Sequence, residues 1–215
     1  MSVFRGAVFV MLPLFLCLLL LFMGCGRDES YERSRLFMDT VVTLRAAGPG
    51  ARAAVEEGME RMAELERILG TGEGSDARRL AQAAGRECVH ISPETLHVLE
   101  LSQRYSELTG GAWDVTAAPL VELWGIGTDH ARVPTDEEME AARRLVGWHH
   151  LMLRPGDGSA MLEKGGMGIH LGGVAKGYAA DEVRRIFERH GVRDGLISMG
   201  TSSIYAMGKN GEGGA

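Results

Sequence analysis

Long runs of one charge and a cysteine framework are both missing from this chain of 215 residues, which has 3 Cys, 6 Pro, 45% hydrophobic and 24% charged residues. Disulfides therefore cannot stand in for a packed core, and a composition typical of disorder is excluded. Twenty-three basic residues face 29 acidic ones, for a net charge of −6. No Lys/Arg block is long enough to follow a phosphate backbone, so no nucleic-acid partner is expected. No internal repeat is visible, which leaves one globular domain or part of one.

What the chain does have is a sharp asymmetry at its start. From Gly6 to Gly26 there is no charged residue, Arg5 precedes the run, and Met23-Gly24-Cys25-Gly26 closes it. A positive start, an apolar stretch and small residues in that order make a secretory signal. Cys25 at the cleavage point resembles the lipidated Cys of bacterial lipoproteins. The expected organisation is a signal peptide over 1–24, a lipidated Cys25 with a polar tether over 25–35, and a folded domain over 36–215. The alternative is a retained membrane helix, since about 18 apolar residues suffice to cross hydrocarbon. Either way the remainder lies outside the cytoplasm, and Cys88 is left without an intrachain partner, as a small core residue.

Phe37 to Leu44 is rich in β-branched residues and reads as a strand closed by Gly48-Pro49-Gly50. Val55, Met59, Met62, Leu65 and Leu69 recur at helical spacing. Ser92-Pro93 starts a helix with Val98, Leu101, Tyr105 and Leu108 on one apolar face, stopped by Gly110-Gly111. Thr135 and Glu138 form a capping box before Met139, Ala142 and Val146. A helix over 174–190 precedes two strands, 195–199 and 204–207, that meet at Gly200-Thr201. Helices without regular strand alternation favour an α+β fold.

Two segments could carry chemistry. Gly165 to Gly177 holds six glycines directly before a helix, which allows close backbone approach and offers free amides to an anion, but neither common phosphate-loop spacing is met. Tight helix packing and ligand binding both remain open on this pattern. Lys176, in the first turn, opposes the helix dipole and needs an anion, either a ligand or Asp181 one turn on. In the second segment, Trp113 beside Asp114 pairs a flat apolar face with an acceptor, although Asp114 could simply cap the next helix.

Taken together, these segments resemble the ApbE family, the FAD:protein FMN transferases, which are often periplasmic lipoproteins. The matches are Phe37-Met38-Asp39-Thr40; Gly111 to Thr116 with Pro119-Leu120 and Trp124-Gly125; Leu171 to Tyr178 with Asp181; and Leu196 to Gly200. The resemblance implies an α+β, ApbE-like (T-fold-like) mixed sheet flanked by helices and incomplete at its C-terminus. It implies an FAD site made by Met38, Ala112, Trp113, Asp114, His170 and Lys176, and a Mg²⁺ ion held in part by the backbone carbonyl of Gly173. The remaining metal ligands of the family belong to a C-terminal segment that these 215 residues do not include. The implied activity is Mg²⁺-dependent transfer of FMN from FAD to a threonine of a membrane redox-complex subunit, by an enzyme lipid-anchored to the inner membrane on its periplasmic side. An FAD-binding or FAD-hydrolysing lipoprotein without transfer is the alternative. His170, Trp113 and Gly200-Thr201-Ser202 stand where the family usually has Asp, Phe and a Gly-Gly-Asn/Asp turn.

Overall fold

Alternation of buried Val42, Leu44 and Ala46 with outward Val41, Thr43 and Arg45 makes Thr40–Ala47 a half-buried strand, β2. In the computed structural model, which describes residues 30–209, β2 pairs in antiparallel register with β1, Ser30–Phe37. The expected single strand over 37–44 is thus a hairpin, closed after the Phe37↔Thr40 pair by Met38 and Asp39 at φ +49° and +59°. Two successive positive φ values make the tight turn that matches strand twist. Residues 30–35, expected in the tether, belong to β1. Their charges misled because β1 is an edge strand, largely exposed, and edges carry charge to resist further pairing. Arg33 of this strand reaches Glu56 at 2.6 Å.

Strand β6, Asp194–Met199, lies antiparallel to β2, with Val42 opposite Met199. A reversal at Gly200, φ +61°, returns the chain as β7, Ile204–Met207. A Cβ at Gly200 would collide with the Thr40 hydroxyl. The sheet order is β1-β2-β6-β7. Its buried face is covered by α1, Ala51–Leu69, and α6, Ala175–Arg189, which pack Met59, Met62, Leu65, Val183 and Phe187 against Leu44, Ile197 and Met199.

A second sheet of order β3-β5-β4 is built from Val89–His90, Ser159–Leu162 and Leu151–Arg154. It packs with α2, Asp76–Ala83, and α3, Pro93–Leu108. Two shorter helices, α4 (Ala118–Trp124) and α5 (Asp136–Arg143), lie between α3 and β4 in the chain. The α+β class is as expected; where a mixed sheet was implied, all pairings between the described strands are antiparallel.

The helix starts follow their sequence signals. Ser92 accepts the Thr95 amide at 3.1 Å, and both halves of the Thr135/Glu138 capping box are formed. Helix α5 ends at Arg143, so Val146 falls beyond it. The two α2/α3 starts are joined by Asp76, which is buried and accepts the amide and hydroxyl of Ser92 at 2.8 and 2.7 Å. Burial alone would raise its pKa, but these donors, with Thr95 and Arg79, outweigh burial and hold it below the usual carboxylate range. Helices α1, α3 and α6 are tied by Arg61, whose guanidinium meets Glu64 at 2.6 Å, Glu94 at 2.8 Å and Glu182 at 2.9 Å.

Cys88 is a free, half-buried thiol. No helix among the described residues is long and apolar enough to cross a membrane. The expected signal peptide and Cys25 lie outside the described residues.

Candidate functional site

Helix α6 ends at Arg189, with His190 as its C-cap, and the chain returns along β6, so the helix N-terminus stands at the Gly200 end of the sheet. The antiparallel β2 starts at that same end, which brings the Met38–Asp39 turn there as well. The turn is pinned by the Met38 amide, which donates to Glu66 Oε1 at 2.8 Å. A methionine with positive φ is uncommon, so the surrounding contacts impose that conformation.

The two segments picked out by composition meet at this end. The His170 amide donates to the Val115 carbonyl at 2.8 Å, and Ala117 and Gly168 form a parallel bridge. Asp114 organises the junction. Its Oδ1 accepts the Thr116 amide at 2.8 Å and the Thr116 hydroxyl at 2.6 Å, while Oδ2 accepts the Trp148 amide at 2.9 Å. The Thr116 oxygen in turn accepts the buried Gly147 amide at 2.8 Å. Both oxygens of the carboxylate are therefore engaged in fixing the loop, close to the capping alternative raised by the sequence.

Trp113, held by its amide on Thr109 Oγ1 at 3.0 Å, lays its ring against Gly173. Its indole Nε1 is buried and has no hydrogen-bond partner among the described residues. The His170 ring covers Gly172 in the same way, with Cε1 2.6 Å from where a Cβ would stand. Lys176 is half-buried and makes no ion pair among the described residues; Asp181, its other possible partner, is 3.8 Å from Arg184 instead. Helical spacing puts Lys176 on the face of buried Val183 and Phe187, over the sheet end.

Beside this corner runs a cleft of about 600 Å³ between α3, α6 and the start of β7. That volume is in the range of small-molecule sites. Its walls are rich in flat side chains: His97, Tyr105, Trp113, Tyr178 and Tyr205. His97 and Tyr178 stack obliquely at 5.5 Å, and burial, with Glu182 and Glu94 nearby, pushes the Tyr178 hydroxyl pKa up. Of the residues expected to form the site, Trp113 and Gly173 line the cleft. Ala112 and Asp114 flank Trp113, His170 and Lys176 flank Gly173 along the chain, and Met38 stands at the sheet end without reaching the cleft.

The α3 contribution was hidden by its pattern. The stripe Val98, Leu101, Tyr105 and Leu108 suggested a core face, yet Tyr105 is 49% and Leu108 70% exposed. Val98 of that stripe is in the core as expected, but the buried face continues through Thr95, Leu99, Ser102 and Ser106, where the serine hydroxyls donate to the Val98 and Ser102 carbonyls at 2.8 and 3.0 Å. The spacing of His97, Leu101 and Tyr105, four residues apart, is the signal that marks the cleft wall.

Residues 38–215 match the model of the ApbE family. The chain belongs to the ApbE family. It is 28% identical to the FAD:protein FMN transferase of Treponema pallidum (strain Nichols) over 195 residues, which are 86% of this chain and 54% of that protein. With a Klebsiella pneumoniae (strain 342) FAD:protein FMN transferase it shares 34% over 153 residues, 69% of this chain and 43% of the relative. Among solved structures, the flavin transferase ApbE from Vibrio cholerae aligns with a TM-score of 0.79 at 26% identity, covering 87% of this chain and 62% of that one. The ApbE protein of Thermotoga maritima aligns at 0.77 and 28%, covering 85% and 60%. This ApbE-family chain thus spans about half of the length of the curated relatives it matches.

The donor sets separate the two ligands that the family resemblance implies. For FAD, the corner has flat walls, and among the described residues neither the Trp113 indole N–H nor Lys176 has a partner. For Mg²⁺, six oxygens are needed. No group of three or more His, Cys, Asp or Glu able to hold a metal occurs among the described residues, and Gly173 would give one carbonyl. The described residues alone do not make a magnesium site.

Proposed function

We propose that this protein binds FAD at the α6 end of its first sheet and serves the transfer of FMN from FAD to a protein hydroxyl, on a threonine of a membrane redox-complex subunit. The observation that carries the reading is the corner itself: in an ApbE-family chain, the Trp113 ring stands over Gly173, three residues before Lys176, and neither the buried Trp113 Nε1 nor Lys176 has a partner among the described residues. Buried donors and half-buried cations without partners are costly to a fold and are characteristically kept for a ligand.

In the reaction, the acceptor hydroxyl oxygen bonds to the FMN phosphorus as its P–O bond to the bridging oxygen breaks; AMP leaves with that oxygen, and the hydroxyl proton passes to solvent. On this reading the chain's own residues bind and orient. Trp113 offers a flat face for a ring system, Lys176 and the helix N-terminus meet phosphate charge, and the Asp114–Thr116 pair keeps the Trp113 loop rigid. Magnesium dependence would rest on oxygens of the substrate and of groups beyond the described residues, so no step is assigned to Gly173. The signal-like start ending at Cys25 supports a lipid-anchored location on the outer side of the inner membrane, where such acceptor subunits face.

Purified protein is titrated with FAD, and then incubated with FAD, Mg²⁺ and an acceptor subunit before a denaturing gel is scanned for covalent flavin fluorescence. FAD binding with labelling on the acceptor threonine is expected. Binding with release of free FMN and AMP but no labelling would favour the hydrolytic alternative, and absence of FAD binding would overturn the reading.

A further inference from the structure

Gly173 has no conformational need to be glycine. Its φ lies outside the left-handed region that favours glycine, so φ does not call for glycine there. What excludes a side chain there is the indole: a Cβ on residue 173 would stand 2.7 Å from Trp113 Cζ3, 3.5 Å from Cζ2 and closer still to Cη2. These three atoms belong to the outer ring of the indole, beyond the reach of a phenyl group at the same position. The restriction at 173 is one of size, imposed from 113.

Neither side can give way easily. The Trp113 loop is held at its amide by Thr109 and just after it by Asp114, which binds Thr116 and Trp148. Gly173 is fixed from behind because the Leu171 carbonyl accepts the amides of Val174 at 3.0 Å and Ala175 at 2.8 Å as α6 begins. A collision between two anchored backbones is relieved by rotating the ring, and Trp113 lines the cleft.

We propose that Trp113 and Gly173 are a size-matched pair that sets the shape of one end of the cleft, and so act as a specificity-determining contact for the flat ring system of the ligand. That the ligand is FAD rests on the function proposed above; the size match itself does not. A methyl group at 173 drives the indole out of its seat and misshapes the cleft, and shortening the ring to phenylalanine makes room for the methyl again. Gly172, whose Cβ space is taken by the His170 imidazole instead, belongs to a different pair.

The test is a double-mutant cycle in the full-length protein purified in detergent, with Gly173→Ala, Trp113→Phe, the two combined, and Gly172→Ala as control. FAD is titrated, melting temperatures are recorded, and indole emission is read in a Trp124→Phe/Trp148→Phe background so that Trp113 alone reports. Gly173→Ala is expected to weaken FAD binding at least tenfold and to shift Trp113 emission to the red. The combined variant should bind within about threefold of Trp113→Phe, whereas Trp113→Phe should give no such rescue of Gly172→Ala. If Gly173→Ala does not fold, recovery of folding in the combined variant supports the pair and its failure overturns it. Unchanged binding and emission in Gly173→Ala, or a combined variant as weak as Gly173→Ala, would overturn the proposal. Should the parent protein bind no FAD, the function reading fails and with it the ligand-selecting role. The size match is then judged by melting temperature: recovery in the combined variant upholds it and additive losses refute it.

Discussion

Two sides of one loop differ in how their polar groups are spent. On the Asp114 side, both carboxylate oxygens, the Thr116 hydroxyl and the amides of Thr116, Gly147 and Trp148 are all paired. One residue earlier, the Trp113 Nε1 is buried without a partner among the described residues, and Lys176, in the first turn of α6, makes no ion pair among them. The fold is thus able to satisfy polar groups at this place, yet among the described residues it pairs neither the buried Trp113 Nε1 nor the half-buried Lys176. A closed network fixes geometry, and an open one is available to a ligand.

The largest effect should come from breaking the closed side. Asp114→Ala strands three donors at once in a half-buried loop, and a loss of about 3 kcal/mol is expected at roughly 1 kcal/mol or more per orphaned group. Urea denaturation measures it. A loss below about 1 kcal/mol would show that water replaces the carboxylate readily and that the two sides are not as different as the hydrogen bonds imply.

The Arg61 cluster extends the comparison to a third, scaffolding region. Its side chain is 19% exposed and its guanidinium is the shared cation of three carboxylates; burial opposes its charge, but Glu64, Glu94 and Glu182 outweigh burial and push its pKa further up. Arg61→Met would leave those carboxylates facing each other. About 2 kcal/mol of destabilisation is expected, less than a fully buried pair would give because solvent screens part of the repulsion. Added salt should reduce the difference.

Asp76 sharpens the contrast through pH. Its pKa is held low in the folded state, chiefly by Ser92 working against burial, so its contribution to stability is fully present above the ordinary carboxylate value near 3.9 and is lost as pH falls through the folded value. Asp76→Asn removes the charge at every pH. The variant should be less stable by about 1 kcal/mol at pH 7, the difference between charged and neutral hydrogen bonds, and the gap should close below about pH 4. A gap that widens on acidification would contradict the sign of the shift.

How legible this was in the sequence depended on the kind of signal. Helix starts with a chemical mark, Ser92-Pro93 and Thr135 with Glu138, fell where expected because side-chain caps are local. The β1–β2 turn escaped because Met38-Asp39 is not a sequence that favours positive φ; the strand pairing and Glu66 impose it. The core face of α3 escaped because hydroxyls that bond to their own helix count as polar in a pattern and as satisfied in a core. At the candidate site, glycine clustering and the Trp113-Asp114 pair singled out two segments that the fold brings together through the His170 amide on the Val115 carbonyl. Composition could not show that Asp114 is consumed internally or that Trp113 lies on Gly173, because both depend on contacts across the fold.

Lys176 carries the smallest effect on stability and the clearest separation between the two sides. A cation in the first turn of a helix, here without an ion pair among the described residues, opposes the dipole, so Lys176→Met should leave stability unchanged or raise it by up to about 1 kcal/mol. The methionine keeps most of the apolar stem while removing the charge, which separates electrostatics from packing. If the charge is held for a phosphate, the same change should weaken FAD binding about tenfold, on the scale of one charged hydrogen bond at roughly 1.5 kcal/mol. Thermal melting and flavin-fluorescence titration on the one variant decide the matter. Raised or equal stability with weaker binding assigns Lys176 to the ligand, whereas lower stability with unchanged binding returns it to the scaffold and removes half of the contrast drawn across this loop.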